Sequence, residues 1–383
     1  MAILRSRKAV LLAGIEDVEG VAETLSASTD AVLVENLKLN INGNIISTNE
    51  VSNSLDGFGD IIGGIKIDVS FDVLLKGSGA AGTPPESGKL LKACGWAEVI
   101  TATAVPASAE ACAAGGTTTS AVLGTSASAT AQVYRGMPVN LSTGVSGLAF
   151  ITDYTTGKVA TVTDTLGGSP DAGTNYQIPV NVVYKPASDA IPSLTFDVYM
   201  DGQLYTIAGA RGNMKFGITS SGIGKMSFDF KGMFISKTDA TLPIPTYDSS
   251  RPPVYKVSTV LMDRKVAAIN SFNFDMGNTL TQPENPNAQE GYDPTEITGR
   301  KMTGSMDPKE TLVATRDIMA DFRAGTKRIL HSRYGTATGN KVAITIPQAL
   351  YKGQTPGDRE GMMTVDVPFE AVGQDAGAFI CFY

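Results

Sequence analysis

The chain has 383 residues, a formal net charge of −7 and only 18% charged side chains. That acidic balance argues against stable nucleic-acid binding by counterion release, which needs clustered lysine and arginine. The length suits roughly two to three units, and the abundance of Gly, Ala, Ser and Thr favours turn-rich β structure over long helices.

Near the N-terminus, Arg5, Arg7 and Lys8 precede the apolar run Ala9 to Ile15 and imitate a secretory signal. Glu16, Asp17 and Glu19 then stand where a small-residue cleavage site belongs, so a cleaved signal is not expected. Cys94, Cys112 and Cys381 have neither metal-ligand nor redox spacing and suit a reducing compartment. No apolar stretch reaches the ~20 residues of a membrane span, so no membrane partner is expected.

A strand-rich pattern occurs twice. In the first copy, Leu37 to Asn42 alternates, a long loop runs from Gly43 to Gly64, Ile65 to Asp72 alternates again, and a helix ends before Gly95. In the second, Phe272 to Met276, a loop from Gly277 to Gly299, Lys301 to Asp307 and a helix before Gly325 follow in the same order. Lys66, Ser70 and Asp72 fall opposite Lys301, Ser305 and Asp307 when the copies are laid together. Between them, Thr101 to Ala131 is nearly all small residues and reads as a linker. Short strands from Val133 to about Lys185 then suggest a small inserted barrel or sandwich.

Leu194 to Val198 runs into Asp201-Gly202, a two-residue hairpin signal, and Leu204 to Ile207 returns. Met226 to Phe230 adds another half-buried strand, and prolines 243, 245, 252 and 253 form a stiff connector. In the second copy Asp307, Pro308 and Glu310 spell a helix start, with Leu312, Ile318, Met319 and Phe322 on one buried face. Val342 to Ile346 and Val365 to Phe369 complete the sheet, with Pro368 marking an edge or a bulge.

Motifs for chemistry are weak. Gly77 to Gly82 matches a dinucleotide fingerprint, but Thr83-Pro84-Pro85 follows in place of a helix start, so a flexible loop is the better reading. The single histidine, His331, has no nucleophile-elbow sequence to serve. Asp366 and Glu370 read as wet-face residues rather than a glycosidase acid and base. Cys94 beside Gly95 and Trp96 reads as packing. No catalytic residue, cofactor or metal site is expected. The loop 44–64 carries Ile45, Ile46, Val51, Leu55, Phe58, Ile61 and Ile62, too apolar for a solvated linker, and reads as an intersubunit contact.

The run Ala31 to Leu37, the Asp56-Gly57 loop, Phe71 to Gly79 and Leu90 to Trp96 resemble the major tail tube proteins of long-tailed bacteriophages. Tyr199 to Gly202, Gly209 to Gly212, Asn270 to Phe272, Asp275 to Asn278, Ile297 to Arg300 and Ala324 to Thr326 extend the resemblance over most of the chain except roughly 105–187. That middle segment is similar to small β modules inserted in phage virion proteins.

The resemblance implies a mainly β protein with two tail-tube-type antiparallel sandwich or barrel domains, each with a flanking helix. On that reading 1–104 with 188–240 form the first domain, 105–187 an inserted module on the tube exterior, and 241–383 the second. Six units would close a ring, and stacked rings would make a hollow virion tail tube conducting double-stranded DNA without specific binding. Three chains supply six units, giving a trimeric, pseudo-sixfold ring; a hexamer is the alternative if only one unit lines the channel. Partners would be further copies, the tape-measure protein and tail-end proteins, with synthesis and assembly in the host cytoplasm. Lys38, Asn40, Asn42, Lys66, Asp68, Ser70, Asp72, Asn273, Asp275 and Thr303 would face the channel. The loop 44–64 would contact the neighbouring ring, as would 278–299. Rival readings are a single-ring terminator or hub subunit, a secreted surface-layer or adhesin-type protein, and a carbohydrate-active enzyme.

Overall fold

In the computed structural model, residue 5 and residues 7–383 are described; the rest of the expected first domain, 1–4 and 6, lies outside them. β1 (Ala9–Ile15), β2 (Ala31–Val32), β3 (Glu35–Ile46) and β4 (Ile61–Leu74) lead to α1 (Gly88–Ala93) and β5 (Trp96–Thr101). β6 (Val105–Ala111), β7 (Ala113–Thr117), β8 (Ser120–Val122), β9 (Pro138–Thr143), β10 (Gly147–Tyr154), β11 (Val159–Val162) and β12 (Thr174–Ile178) form a seven-stranded sheet of their own. The main sheet resumes with β13 (Asn181–Pro186), β14 (Leu194–Met200), β15 (Gln203–Thr219) and β16 (Lys225–Asp239).

There follow β17 (Thr259–Met262), β18 (Lys265–Val266), β19 (Ser271–Asp275), the small hairpin β20 (Asn278–Thr281) and β21 (Glu296–Arg300), β22 (Thr303–Met306) and α2 (Ile318–Ala324). β23 (Lys327–Tyr334), β24 (Val342–Tyr351), β25 (Thr355–Arg359), β26 (Met362–Ala371) and β27 (Phe379–Phe382) complete the chain. The protein is mainly β, built from antiparallel sheets in a sandwich-type arrangement, with no closed barrel among the described residues.

The pairing map repeats itself. In the first half the neighbours run β1, β14, β15, β16, β4, β3, with β2 also on β1. In the second half β17, β23 and β24 are followed by β26, β22 and β19, with β18 on β17. The halves join where β19 pairs with the C-terminal end of β15, from Lys215↔Asp275 to Thr219↔Ser271. β15 reaches both layers because its ladder with β16 shifts register between Ala208 and Arg211, and Gly209 takes a φ of 62° there. A bulge that re-aims a strand is the usual way to turn a sandwich corner.

Period-2 alternation supplies the core. Ile67, Val69, Phe71 and Val73 on β4 are buried, as are Met226, Phe228 and Phe230 on β16 and Met214, Phe216 and Ile218 on β15. Phe71 stacks on Phe230 with centroids 5.9 Å apart, and Phe216 on Phe274 at 5.2 Å, so the aromatic layer crosses from one half into the other. The Asp201-Gly202 turn forms as expected, with φ of 34° and 106° and Met200 opposite Gln203.

Several expectations need correction. Thr101 to Ala131 carries β6, β7 and β8 and is not a linker; its small residues permit close packing, since a Cβ at Gly116 would meet Pro170 O at 2.3 Å. The segment Gly77 to Gly82 is pinned, not flexible: the Gly77 amide donates to Asn340 Oδ1 at 2.9 Å, and a Cβ there would meet Gly339 O at 2.1 Å. The second helix starts ten residues late. The Lys309 and Glu310 amides donate to Ala268 O and Met363 O, so long-range backbone bonds win over the local cap. Asp317 caps α2 through the Ala320 amide, while Asp307 accepts from the Asn270 and Ser271 amides. Of the face expected to be buried only Ile318 is; Leu312, Met319 and Phe322 are exposed.

Pro368 marks a break rather than an edge. β26 is flanked on both sides, and Pro368 lies opposite the gap between β24 and β25, where its carbonyl accepts from the Lys352 amide. His331 is wholly buried, with Nδ1 2.9 Å from Thr345 Oγ1 and its ring 4.7 Å from that of Phe150. Burial, aided by Arg333, holds its imidazole well below the ordinary value of 6.5.

Two outcomes follow from this packing. Phe230→Ala is expected to cost about 3–5 kcal/mol, the range for emptying a large buried aromatic site, read by chemical denaturation. His331 stays neutral in the fold while the unfolded chain takes up its proton, so the stability it contributes is present above pH ~6.5 and falls as pH drops below that value. Denaturation midpoints between pH 7 and 5 should fall more steeply for the natural protein than for His331→Gln; equal slopes would exclude this origin.

Candidate functional site

Because successive side chains on a strand point to opposite faces, the residues between the core positions share the other side of the sheet. Across β3, β4, β16, β15, β19, β22 and β26 this yields one continuous polar face. Register places Asn40 opposite Asp68, Lys38 opposite Ser70, Asp229 opposite Ser70, Ser227 opposite Asp72 and Asn273 opposite Ser305. Shallow depressions on this face are lined by Lys38, Ser70, Asp72 and Asp229, and by Lys215, Asn273, Asp275 and Thr303.

Most of the expected channel positions therefore lie on one surface. Lys38, Asn40, Asn42, Asn273 and Thr303 are exposed, and Asp68, Ser70, Asp72 and Asp275 are half-buried. Asn42 donates to Asp68 at 3.0 Å, and Asp72 accepts from Asn36 at 2.7 Å and from the Ser227 hydroxyl at 2.6 Å. Asp275 accepts from Asn213 at 2.8 Å. Lys66 departs from the pattern: its ammonium lies 4.0 Å above the Tyr292 ring, beneath the loop after β20.

The face also holds residues that reading the paired copies alone does not reveal: Asn213, Lys215, Lys225, Ser227, Asp229, Lys231, Lys352 and Glu370 on β15, β16, the segment after β24, and β26. Alternation on those strands was available in sequence as a signal; their neighbourhood to β4 and β22 was not.

Three lysines on this face are matched by carboxylates. Lys215 lies 3.5 Å from Asp275, Lys225 2.6 Å from Glu35 and Lys352 2.7 Å from Glu370. The hydrogen bond from Lys352 holds the Glu370 carboxyl below its usual range. Burial raises the Asp68 carboxyl in spite of Lys231 and Lys66. The result is a wet wall with dispersed charges of both signs and no basic stripe to grip phosphates.

The loop positions lie elsewhere. The β3–β4 ladder continues beyond the expected loop boundary, with Ile45 opposite Ile62 and Ile46 opposite Ile61, so the connection proper is 47–60. Ile45, Ile46, Val51, Leu55, Phe58, Ile61 and Ile62 are all exposed. The corresponding segment in the second half is folded back. β20 pairs with β21, Arg300 donates to Gly95 O and to Ala187 O at 2.7 Å, and Asn278 donates to Cys94 O at 2.8 Å, closing the C-terminal end of α1. Buried Arg211 bridges Glu19 and Glu296 at the same seam and holds the Glu19 carboxyl below its usual range.

Among the described residues no group of three or more metal-ligating side chains converges, and no helix is long and apolar enough to cross a membrane. No curated protein matches the chain significantly. A sequence model of the phage tail tube protein family matches residues 6–371. With nearly its whole length covered, the chain belongs to the phage tail tube protein family, a family of virion tail structural proteins rather than enzymes.

Proposed function

We propose that copies of this chain assemble into rings that stack as a hollow tail tube, with the polar face lining the bore through which genomic double-stranded DNA leaves. The observation that carries this reading is the continuity of that face across both halves of a tail tube family chain, with Lys215, Lys225 and Lys352 each paired to a carboxylate within the sheet. A wall of amides, hydroxyls and matched charges offers a phosphate backbone no run of strong contacts to release. The repeated pairing map supports treating the halves as two equivalent ring units, so three chains would complete a pseudo-sixfold ring.

The seven-stranded module would stand outside the tube. The exposed apolar loop of β3–β4 would bury itself against the adjoining ring, which removes a hydrophobic surface otherwise costly to expose. The tape-measure protein and tail-end proteins are the further partners this role requires. Assembly would take place in the host cytoplasm before the virion is complete.

Negative-stain microscopy of the purified chain tests the reading: hollow tubes or rings with threefold or pseudo-sixfold end views are expected, and dispersed monomers at every concentration would refute it. Leu55→Asp with Phe58→Asp is expected to leave the melting temperature unchanged but to abolish tube elongation, leaving short rings; normal tubes would remove the loop from the stacking contact. Asp72 and Asp275 each accept two hydrogen bonds, whereas Asp68 accepts one, from Asn42, so wall charge is better probed at Asp68 and Asp229. Asp68→Lys with Asp229→Lys should still build tubes but slow DNA ejection from virions, and unchanged ejection kinetics would dismiss the role of wall charge.

A further inference from the structure

Each half of the chain contributes one run of wall strands, and only one of the two junctions such a run requires is made within the molecule. β19 of the second half pairs with the end of β15 of the first. Among the described residues, the equivalent strands at the outer limits of the wall, β3 and β25, pair on one side only, with β4 and β26 respectively. Both are exposed along their free edges.

The repeat sets the correspondence residue by residue. Asn273↔Ser305 and Asp275↔Thr303 in the second half match Lys38↔Ser70 and Asn40↔Asp68 in the first. Ser305↔Pro368 likewise matches Ser70↔Asp229. Two residues further along, Lys215↔Ser227 matches Thr355↔Asp366, and Gly217 falls on Gly357. β19 is therefore the counterpart of β3, and the end of β15 the counterpart of β25.

Resting on the tube reading, we infer that β3 of one copy pairs antiparallel with β25 of a second copy in the register of the internal junction. Asn40 lies opposite Thr355 and Lys38 opposite Gly357, as Asp275 lies opposite Lys215 and Asn273 opposite Gly217. The occupant of each free edge is thus the other free edge of the same sequence, and the wall runs on from chain to chain without a gap. Gly357 carries no side chain to crowd Lys38.

Pro356 makes this edge selective. Val365 donates its amide to Pro308 O at 3.0 Å, away from β25, so its partner Pro356 turns its own backbone to the open side. There it presents a carbonyl and no amide. The junction keeps the bond from Leu39 to that carbonyl and loses the reciprocal one, a common device for discouraging indiscriminate edge pairing.

Engineered disulfides read the register directly. The three native cysteines are buried and should not interfere. In assembled Asn40→Cys/Thr355→Cys protein, mild oxidation should give covalent multimers ending at a closed trimer, because facing residues at a non-hydrogen-bonded pair lie within disulfide reach, about 4.5 Å between Cα atoms. Mixing the two single variants should yield a dimer and nothing larger. Asn40→Cys/Arg359→Cys, four residues out of register, should stay uncrosslinked, while Lys215→Cys/Asp275→Cys should close within one chain. Tubes that form normally yet give no 40–355 product, or that crosslink through 359 instead, would overturn this pairing and leave the tube reading intact; absence of any assembly would overturn both.

Discussion

A β-strand at the limit of a sheet carries a row of backbone donors and acceptors that must be met by water or by another strand. This chain meets one such row internally, where β19 docks on the end of β15, and leaves the corresponding row open at β3 and β25. On the proposed reading, the remaining features of the architecture serve that constraint. The aromatic layer from Phe71 through Phe228 and Phe230 to Phe216 and Phe274 stiffens the wall strands from behind. The bulge at Gly209 lets β15 serve both the outer layer and the wall, and the folded hairpin β20–β21 clamps the internal seam through Arg300, Asn278 and Arg211.

The two sides of the wall strands do different physical work with the same backbone. Their inner positions bury large apolar groups, each stabilising by about 1.5–3 kcal/mol when fully removed from water. Their outer positions carry short polar groups whose hydrogen bonds run along the sheet, as from Asn42 to Asp68 or from Ser227 to Asp72. Exposed ion pairs such as Lys225–Glu35 contribute little to stability, a median of about 0–1 kcal/mol. Their consequence is electrostatic: they cancel positive charge at the surface, as the proposed passage of DNA along this face would require.

Much of this was legible in sequence, for identifiable reasons. Strict alternation in Lys66 to Asp72 and Phe272 to Asp275 separates core from wet face, and Asp201-Gly202 announces its turn through the left-handed backbone it adopts. What stayed hidden depends on contacts distant in the chain. The start of α2 is displaced because Met363 and Ala268 take the amides of Glu310 and Lys309. Thr101 to Ala131 looks like a linker because it contributes mostly small groups such as Cys112 and Ala121 to a core whose large side chains, Phe150, Tyr154 and Tyr176, come from later strands. Asp229 and Lys231 join the wall because β16 lies beside β4, a neighbourhood separated by more than 150 residues and by the entire seven-stranded module.

Hydrogen exchange across the β3 edge, compared between isolated subunits and assembled tubes, tests the central claim most directly. If the open edge is satisfied by a second copy, the amide of Leu39 and those of its outward-facing neighbours should pass from rapid exchange to the slow exchange of Phe272 and Phe274 in the internal junction. Amides in β3 that exchange as fast in the tube as in the free chain would contradict it.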